Sequence, residues 1–162
     1  MADESAHASP TERGRWATEF FGPRVPGQLG CIFDHSASDL VVGHIDVTEN
    51  LIAGTGFLFA PAVIALADTC AAIGCGNNIP EGSSFTTIEL KSNFLSSARV
   101  GDRVTCRCVR FTSAARRTYG TRLSPTNPTD ARWRCSAARR WCWRRAEAFV
   151  DYELLADDDC AA

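Results

Sequence analysis

Apolar positions along the chain fall into one long run and several short alternating ones. The long run, Ala62 to Ile73, carries a single charge, Asp68. Pro61 suits the first turn of a helix, where its missing N–H would have no intrahelical partner, and Gly74 and Gly76 supply a stop. These bounds predict a helix of roughly 20 Å, too short to span a bilayer and apolar on every side, hence expected in a domain core. The short runs read as strands. Leu40 to Val47 (LVVGHIDV) is β-branched with partial alternation, and His44 within it reads as a surface or satisfied histidine. Ser84 to Leu95 sets Phe85, Thr87 and Glu89 against Thr86, Ile88 and Leu90. Arg103 to Val109 follows a Gly101-Asp102 turn and places Cys106 and Cys108 on one face. Upstream, residues 1–15 read as a disordered tail and Trp16 to Phe21 as a short amphipathic helix, after which Gly22, Pro23, Pro26, Gly27 and Gly30 break the chain. A buried helix followed by long antiparallel strands describes an α+β domain whose sheet wraps one helix.

Composition narrows the setting. With 162 residues, 45% of them apolar, the chain is long enough for one domain with a single core. No apolar run reaches membrane-spanning length, and the polar, acidic N-terminus lacks a signal-peptide core, so the expected location is cytoplasmic with no membrane partner. Eight cysteines then read as reduced thiols and not as a disulfide framework. None has CxxC spacing and the three histidines are not spaced with them, so no metal site is expected.

Asp68 is the first chemical candidate. A buried carboxylate costs several kcal/mol unless it is paired or hydrogen-bonded. Either it meets an arginine or backbone N–H from another element, or it is a catalytic carboxylate in a dry pocket. It lies two turns past Pro61, nearly on the face of the helix start, whose free N–H groups can hold a developing oxyanion.

The order of strand, loop, LADT-bearing helix, turn, FTTIELKSNFL strand and Gly-Asp turn resembles the hotdog-fold acyl-CoA thioesterases of the phenylacetyl-CoA thioesterase type, over about Leu40 to Val109. The resemblance implies a five-stranded antiparallel sheet curled around the helix, and a homodimer or tetramer with active sites at the dimer interface. It implies hydrolysis of an acyl-CoA thioester to a carboxylate and coenzyme A, with no metal or bound cofactor, coenzyme A entering only as part of the substrate. By the match to the helix motif, Asp68 takes the place of the acidic residue that acts as nucleophile or general base. Ala60 takes the place of the glycine whose N–H polarises the thioester carbonyl, and Asn50 that of a loop asparagine. Phe57, Phe59 and Phe85 are candidate substrate-binding residues. The chain departs from the family at Phe59-Ala60-Pro61, where His-Gly-Gly or His-Ala is common. Phe59 can wall a pocket but cannot donate a hydrogen bond, and loss of one oxyanion contact would slow the reaction on the order of a hundredfold. The same change admits a non-catalytic acyl-CoA binder.

The pattern collapses from Arg110 onward. Arg107 to Arg145 contains 11 Arg, no Lys and one acid, Asp130, with Trp133, Trp141 and Trp143 among the arginines. Arginines contact phosphates and indoles stack on bases, so one reading is a nucleic-acid-binding arm. An Arg-only stretch is also what a GC-rich coding sequence yields out of frame. Taking the third base of each codon with the first two of the next turns Phe111 to Trp143 into two alternating strands, THVWDATVT and TMALFRCTQMVL, joined by an Asp-Gly turn, the signature of a hairpin. That hairpin resembles the closing one of the same family. The expected organisation is therefore a tail at 1–15, a partial hotdog domain at 16–109 lacking its last two strands, and an aberrant, out-of-frame segment at 110–162. Nucleic acid is not an expected partner on this reading.

Overall fold

A computed structural model describes residues 8–94, 96–113, 116–125 and 133–143, with side chains described from Ala8 to Arg110 except at positions 88, 89 and 95. The element order is α1 (Pro10–Phe21), α2 (Val25–Gln28), β1 (Ile32–Ser36), β2 (Leu40–Asp46), a 3-10 turn (Glu49–Leu51), α3 (Ala60–Gly76), β3 (Ser84–Asn93), β4 (Arg103–Ser113), β5 (Arg116–Pro125) and β6 (Trp133–Trp143). All six strands form one antiparallel sheet in the order β1-β2-β4-β5-β6-β3. This is the expected α+β hotdog arrangement, with α3 as the enclosed helix.

The alternation that predicts β2 and β4 also builds the core. Val41 and Ile45 of β2 and Val104, Cys106 and Cys108 of β4 are buried, together with Phe33 of β1 and Ala62, Val63, Leu66, Ala67, Cys70, Ala71 and Cys75 of α3. His44 of β2 is also buried and is satisfied, its Nδ1 2.7 Å from an Asp34 carboxylate oxygen. Among the described residues no helix is long and apolar enough to cross a membrane.

Four expectations are corrected. The helix over the N-terminal region starts at Pro10, not Trp16, so the described part of the tail is ordered into α1. Ser9 and Glu12 form a capping box in which Ser9 Oγ accepts the Glu12 N–H and the Glu12 carboxylate accepts the Ser9 N–H at 2.7 Å. Residues 1–7 lie outside the described residues. Second, β1 was not expected. Its outer edge is covered by α1, with Thr18 Oγ1 accepting the Phe33 N–H at 2.8 Å and Arg13 Nε donating to the Ser36 carbonyl at 2.8 Å. Gly14 permits that approach, since a Cβ there would lie 2.7 Å from the Asp34 carbonyl carbon.

Third, α3 passes through Gly74 and ends at Gly76, capped by Asn77. Asn77 Nδ2 donates to Ser36 Oγ at 2.9 Å and Asn78 Nδ2 to the Ser38 carbonyl at 2.7 Å, tying the helix end to the β1–β2 turn. Fourth, the sheet does not lose its last two strands or stop at five. Backbone groups of 116–125 and 133–143 pair as β5 and β6, because N–H and C=O groups pair whatever side chains they carry. Contacts also continue into the segment expected to be aberrant: the Arg110 N–H donates to the Asp39 carbonyl at 3.0 Å and its Nη1 to Asn78 Oδ1 at 2.6 Å. The Arg/Trp side chains beyond Arg110, and with them the nucleic-acid reading, lie outside the described residues.

Candidate active site

Helix α3 is apolar around its circumference, so the sheet decides which face is hidden. Pro61, Ile64, Ala65, Asp68 and Ala72, spaced by three and four residues, form the stripe left exposed or half-buried. Asp68 is therefore half-buried, not sealed in the core. Its Oδ1 accepts a hydrogen bond from Thr87 Oγ1 at 2.9 Å. Thr87 belongs to β3, which pairs with β6 on one side and is the edge of the sheet among the described residues. Thr87 stands in the alternating pattern of β3, but its distance of 19 residues from Asp68 left no sequence signal for the pairing.

The start of α3 is pinned from two sides. Leu58 N–H donates to the Ala98 carbonyl and Phe59 N–H to the Leu51 carbonyl, each at 2.8 Å. Phe59 is the N-cap in an extended conformation, its side chain making no capping bond and standing 48% exposed. Ala60 is the first helical residue, and among the described residues no backbone carbonyl takes its N–H. Pro61 has no N–H to offer, so the Ala60 donor is the one presented at the helix tip beside the pinned loop.

The remaining candidates divide. Phe57 is half-buried under the Arg99 guanidinium, 5.0 Å from its ring centre, and so joins Phe59 and Ala60 at the helix start. Asn50 sits in the 3-10 turn, accepting from Thr48 Oγ1 at 2.5 Å. It lines a shallow cleft of about 280 Å³ with Gly27 to Gly30, Ile32, Asp46, Thr48 and Leu51, to which neither Ala60 nor Asp68 contributes. Phe85 packs against the core at the far end, where a Cβ on Gly76 would lie 3.9 Å from its ring. Sixteen residues of helix, about 24 Å, separate Gly76 from Ala60, so one chain does not unite the three phenylalanines.

The same arithmetic spaces Asp68 from the helix start. Eight residues of α-helix rise about 12 Å. The expected oxyanion donor and the expected carboxylate thus lie about two helical turns apart on one chain.

Residues 55–118 match the family model of the Thioesterase superfamily, a span that includes Phe57, Phe59, Ala60, Asp68, Phe85 and Thr87 but not Asn50. A mutant thioesterase from Pseudomonas aeruginosa superposes with a TM-score of 0.66 at 18% identity, over 77% of this chain and 91% of that one. Thioesterase superfamily member 2 from Mus musculus gives 0.67 at 12% identity, over 81% and 96%. The fold is the thioesterase hotdog fold. A mutant of the phenylacetic acid degradation protein PaaI from Thermus thermophilus shares the hotdog architecture at a TM-score of 0.58 and 20% identity, over 75% of this chain and 98% of that one. No curated protein matches the chain.

Proposed function

We propose that the chain hydrolyses an acyl-CoA thioester to a carboxylate and coenzyme A, at a site completed by a second copy of itself. The observation that carries this reading is the one carboxylate of α3, Asp68, oriented by Thr87 at the edge of the sheet. Since Asp68 stands about 12 Å from its own helix start, a thioester polarised at one chain's Ala60 needs the Asp68 of the partner. Two features favour a homodimer: the unpaired edge of β3 among the described residues, and the apolar stripe of Pro61, Ile64, Ala65 and Ala72 left incompletely covered.

The Ala60 N–H donates a hydrogen bond to the carbonyl oxygen as it becomes a tetrahedral oxyanion. Asp68 either takes a proton from the attacking water or attacks the carbonyl carbon itself, forming an anhydride that water then opens. Either way the C–S bond breaks, the carbonyl keeps the new oxygen, and the departing coenzyme A thiolate takes up a proton. Thr87 orients the carboxylate by a hydrogen bond donated to Oδ1. Cys31 and Cys70 are free and buried, in keeping with the reducing setting expected of the chain. Asp68→Asn should lower kcat by at least about a hundredfold without unfolding the protein, and full activity in that variant would overturn the reading.

Phe59 favours a second reading, a non-catalytic acyl-CoA binder, because an exposed phenyl ring stands where a hydrogen-bond donor is common. Tight binding of an acyl-CoA without turnover, unchanged by Phe59→His, would select it.

A further inference from the structure

Arg99 lies in the turn between β3 and β4, and its side chain is arranged unlike a solvated surface arginine. Its backbone N–H donates to the Asp102 carboxylate at 2.8 Å, and Gly101, at φ 89°, lets the chain reverse. Asp102 is thereby engaged by backbone, and among the described residues no carboxylate pairs with the Arg99 guanidinium. The guanidinium lies instead over the ring of Phe57, 5.0 Å from its centre. Such stacking at an exposed site contributes little stability, but it fixes the direction of an otherwise mobile side chain. The result is a held, exposed cation with its planar donors free for an anion.

Its position adds a second constraint. The Leu58 N–H to Ala98 carbonyl bond places this turn beside the chain entering α3. Two residues, at most about 7 Å of chain, separate Leu58 from Ala60. Arg99 and the Phe57 ring beneath it thus flank the chain that enters α3 at Ala60, the residue whose N–H is proposed to polarise the thioester carbonyl. Guanidinium forks match phosphate oxygens in pairs, and a pantetheine arm spans the gap between a thioester and the phosphate of its carrier.

We propose that Arg99, held by Phe57, binds a phosphate group of the thioester's carrier and so selects phosphorylated carriers over pantetheine alone. This rests on the thioester reading of the site. The phosphate has two sources, the single one of phosphopantetheine or the further phosphates of coenzyme A, and graded ligands separate them.

The test is calorimetric titration of the full chain and of Arg99→Gln with pantetheine, 4′-phosphopantetheine and coenzyme A, alongside steady-state kinetics on phenylacetyl-CoA and phenylacetyl-pantetheine. Loss of a charge-assisted phosphate contact weakens binding on the order of tenfold. Arg99→Gln is expected to raise Kd for coenzyme A and KM for phenylacetyl-CoA by that factor, with little change for either pantetheine ligand. Arg99→Lys recovers part of the loss, and Arg15→Gln, an exposed arginine on α1, changes none of these values. Weakening already seen with phosphopantetheine assigns the contact to its phosphate; weakening confined to coenzyme A assigns it to the nucleotide. Coenzyme A bound equally by both proteins, or by neither, overturns the proposal. If hydrolysis is absent yet Arg99→Gln still weakens coenzyme A binding, the catalytic reading fails and the phosphate site stands.

Discussion

Replacing Ala60 with proline isolates one hydrogen atom of the proposed mechanism. The N–H at the first helical position makes no intrahelical bond, and proline is favoured there because its φ is already helical. A proline also demands an extended residue before it, and Phe59 is extended, with φ −60° and ψ 116°. Helix α3 should therefore form as before, still anchored by the Phe59 N–H on the Leu51 carbonyl. What disappears is the donor to the oxyanion. Removing one such donor costs about 3–4 kcal/mol in the transition state, a fall of 10²- to 10³-fold in kcat. The assay is thiol release from phenylacetyl-CoA, with far-ultraviolet circular dichroism and Tm to establish that the variant is folded. A folded Ala60→Pro protein with kcat within about twofold of the parent would refute the assignment of the oxyanion to this N–H.

Thr87→Val keeps the shape of the side chain but leaves Asp68 without its 2.9 Å donor; kcat should fall about tenfold with KM little changed, and Thr87→Ser should recover most of it. Ser9→Ala breaks the capping box of α1 and should lower stability by about 1 kcal/mol in urea unfolding, with activity retained. Burial, and secondarily the neighbouring Cys70, push the Cys31 thiol from its ordinary 9.0 up to about 12. Because the folded value is the higher one, this contribution is complete below pH 9.0 and is lost as pH rises from there toward about 12. The slope is at most about 1.4 kcal/mol per pH unit, and Cys31→Ala should flatten it in denaturation curves taken across that range. The out-of-frame reading of the C-terminal segment predicts a missing or extra base in the coding DNA near the codons for Cys106 to Arg110; if base sequence and intact mass agree with the written chain, that reading fails. The restored chain should melt at higher temperature, since its alternating hairpin buries apolar surface worth about 25 cal/mol per Å².

Helix α3 was legible because its signals are local: an apolar run, a proline at its start and glycines near its end. Strands β2, β3 and β4 were legible because one of their faces packs on that helix, which writes a period of two into the sequence. Strand β1 was not, since its pairing with β2 shifts register between Phe33 and His35 and breaks the period in a five-residue strand. The start of α1 was written as Ser9-Pro10-Thr11-Glu12, a capping-box pattern that a polar, acidic terminus disguised as a tail. In the site, Asp68 stood out because a charge in an apolar run needs a partner. The partner, Thr87, did not, because two elements must be folded together before the hydrogen bond exists. The placing of Ala60 and Asp68 near one helix face was readable, but a shared face says nothing of the 12 Å rise that separates them.

The most direct test of a site shared between two chains is complementation between Asp68→Asn and Ala60→Pro proteins. Each alone is expected to be nearly inactive. Unfolded together at equal concentration and refolded, half of the dimers should be mixed, and each mixed dimer carries one intact site, with Ala60 from one chain and Asp68 from the other. Recovery to about a quarter of parental activity is expected. If the two residues act within one chain, every site in the mixture contains a defect, and activity that stays at the level of the separate variants would rule out a site shared between chains.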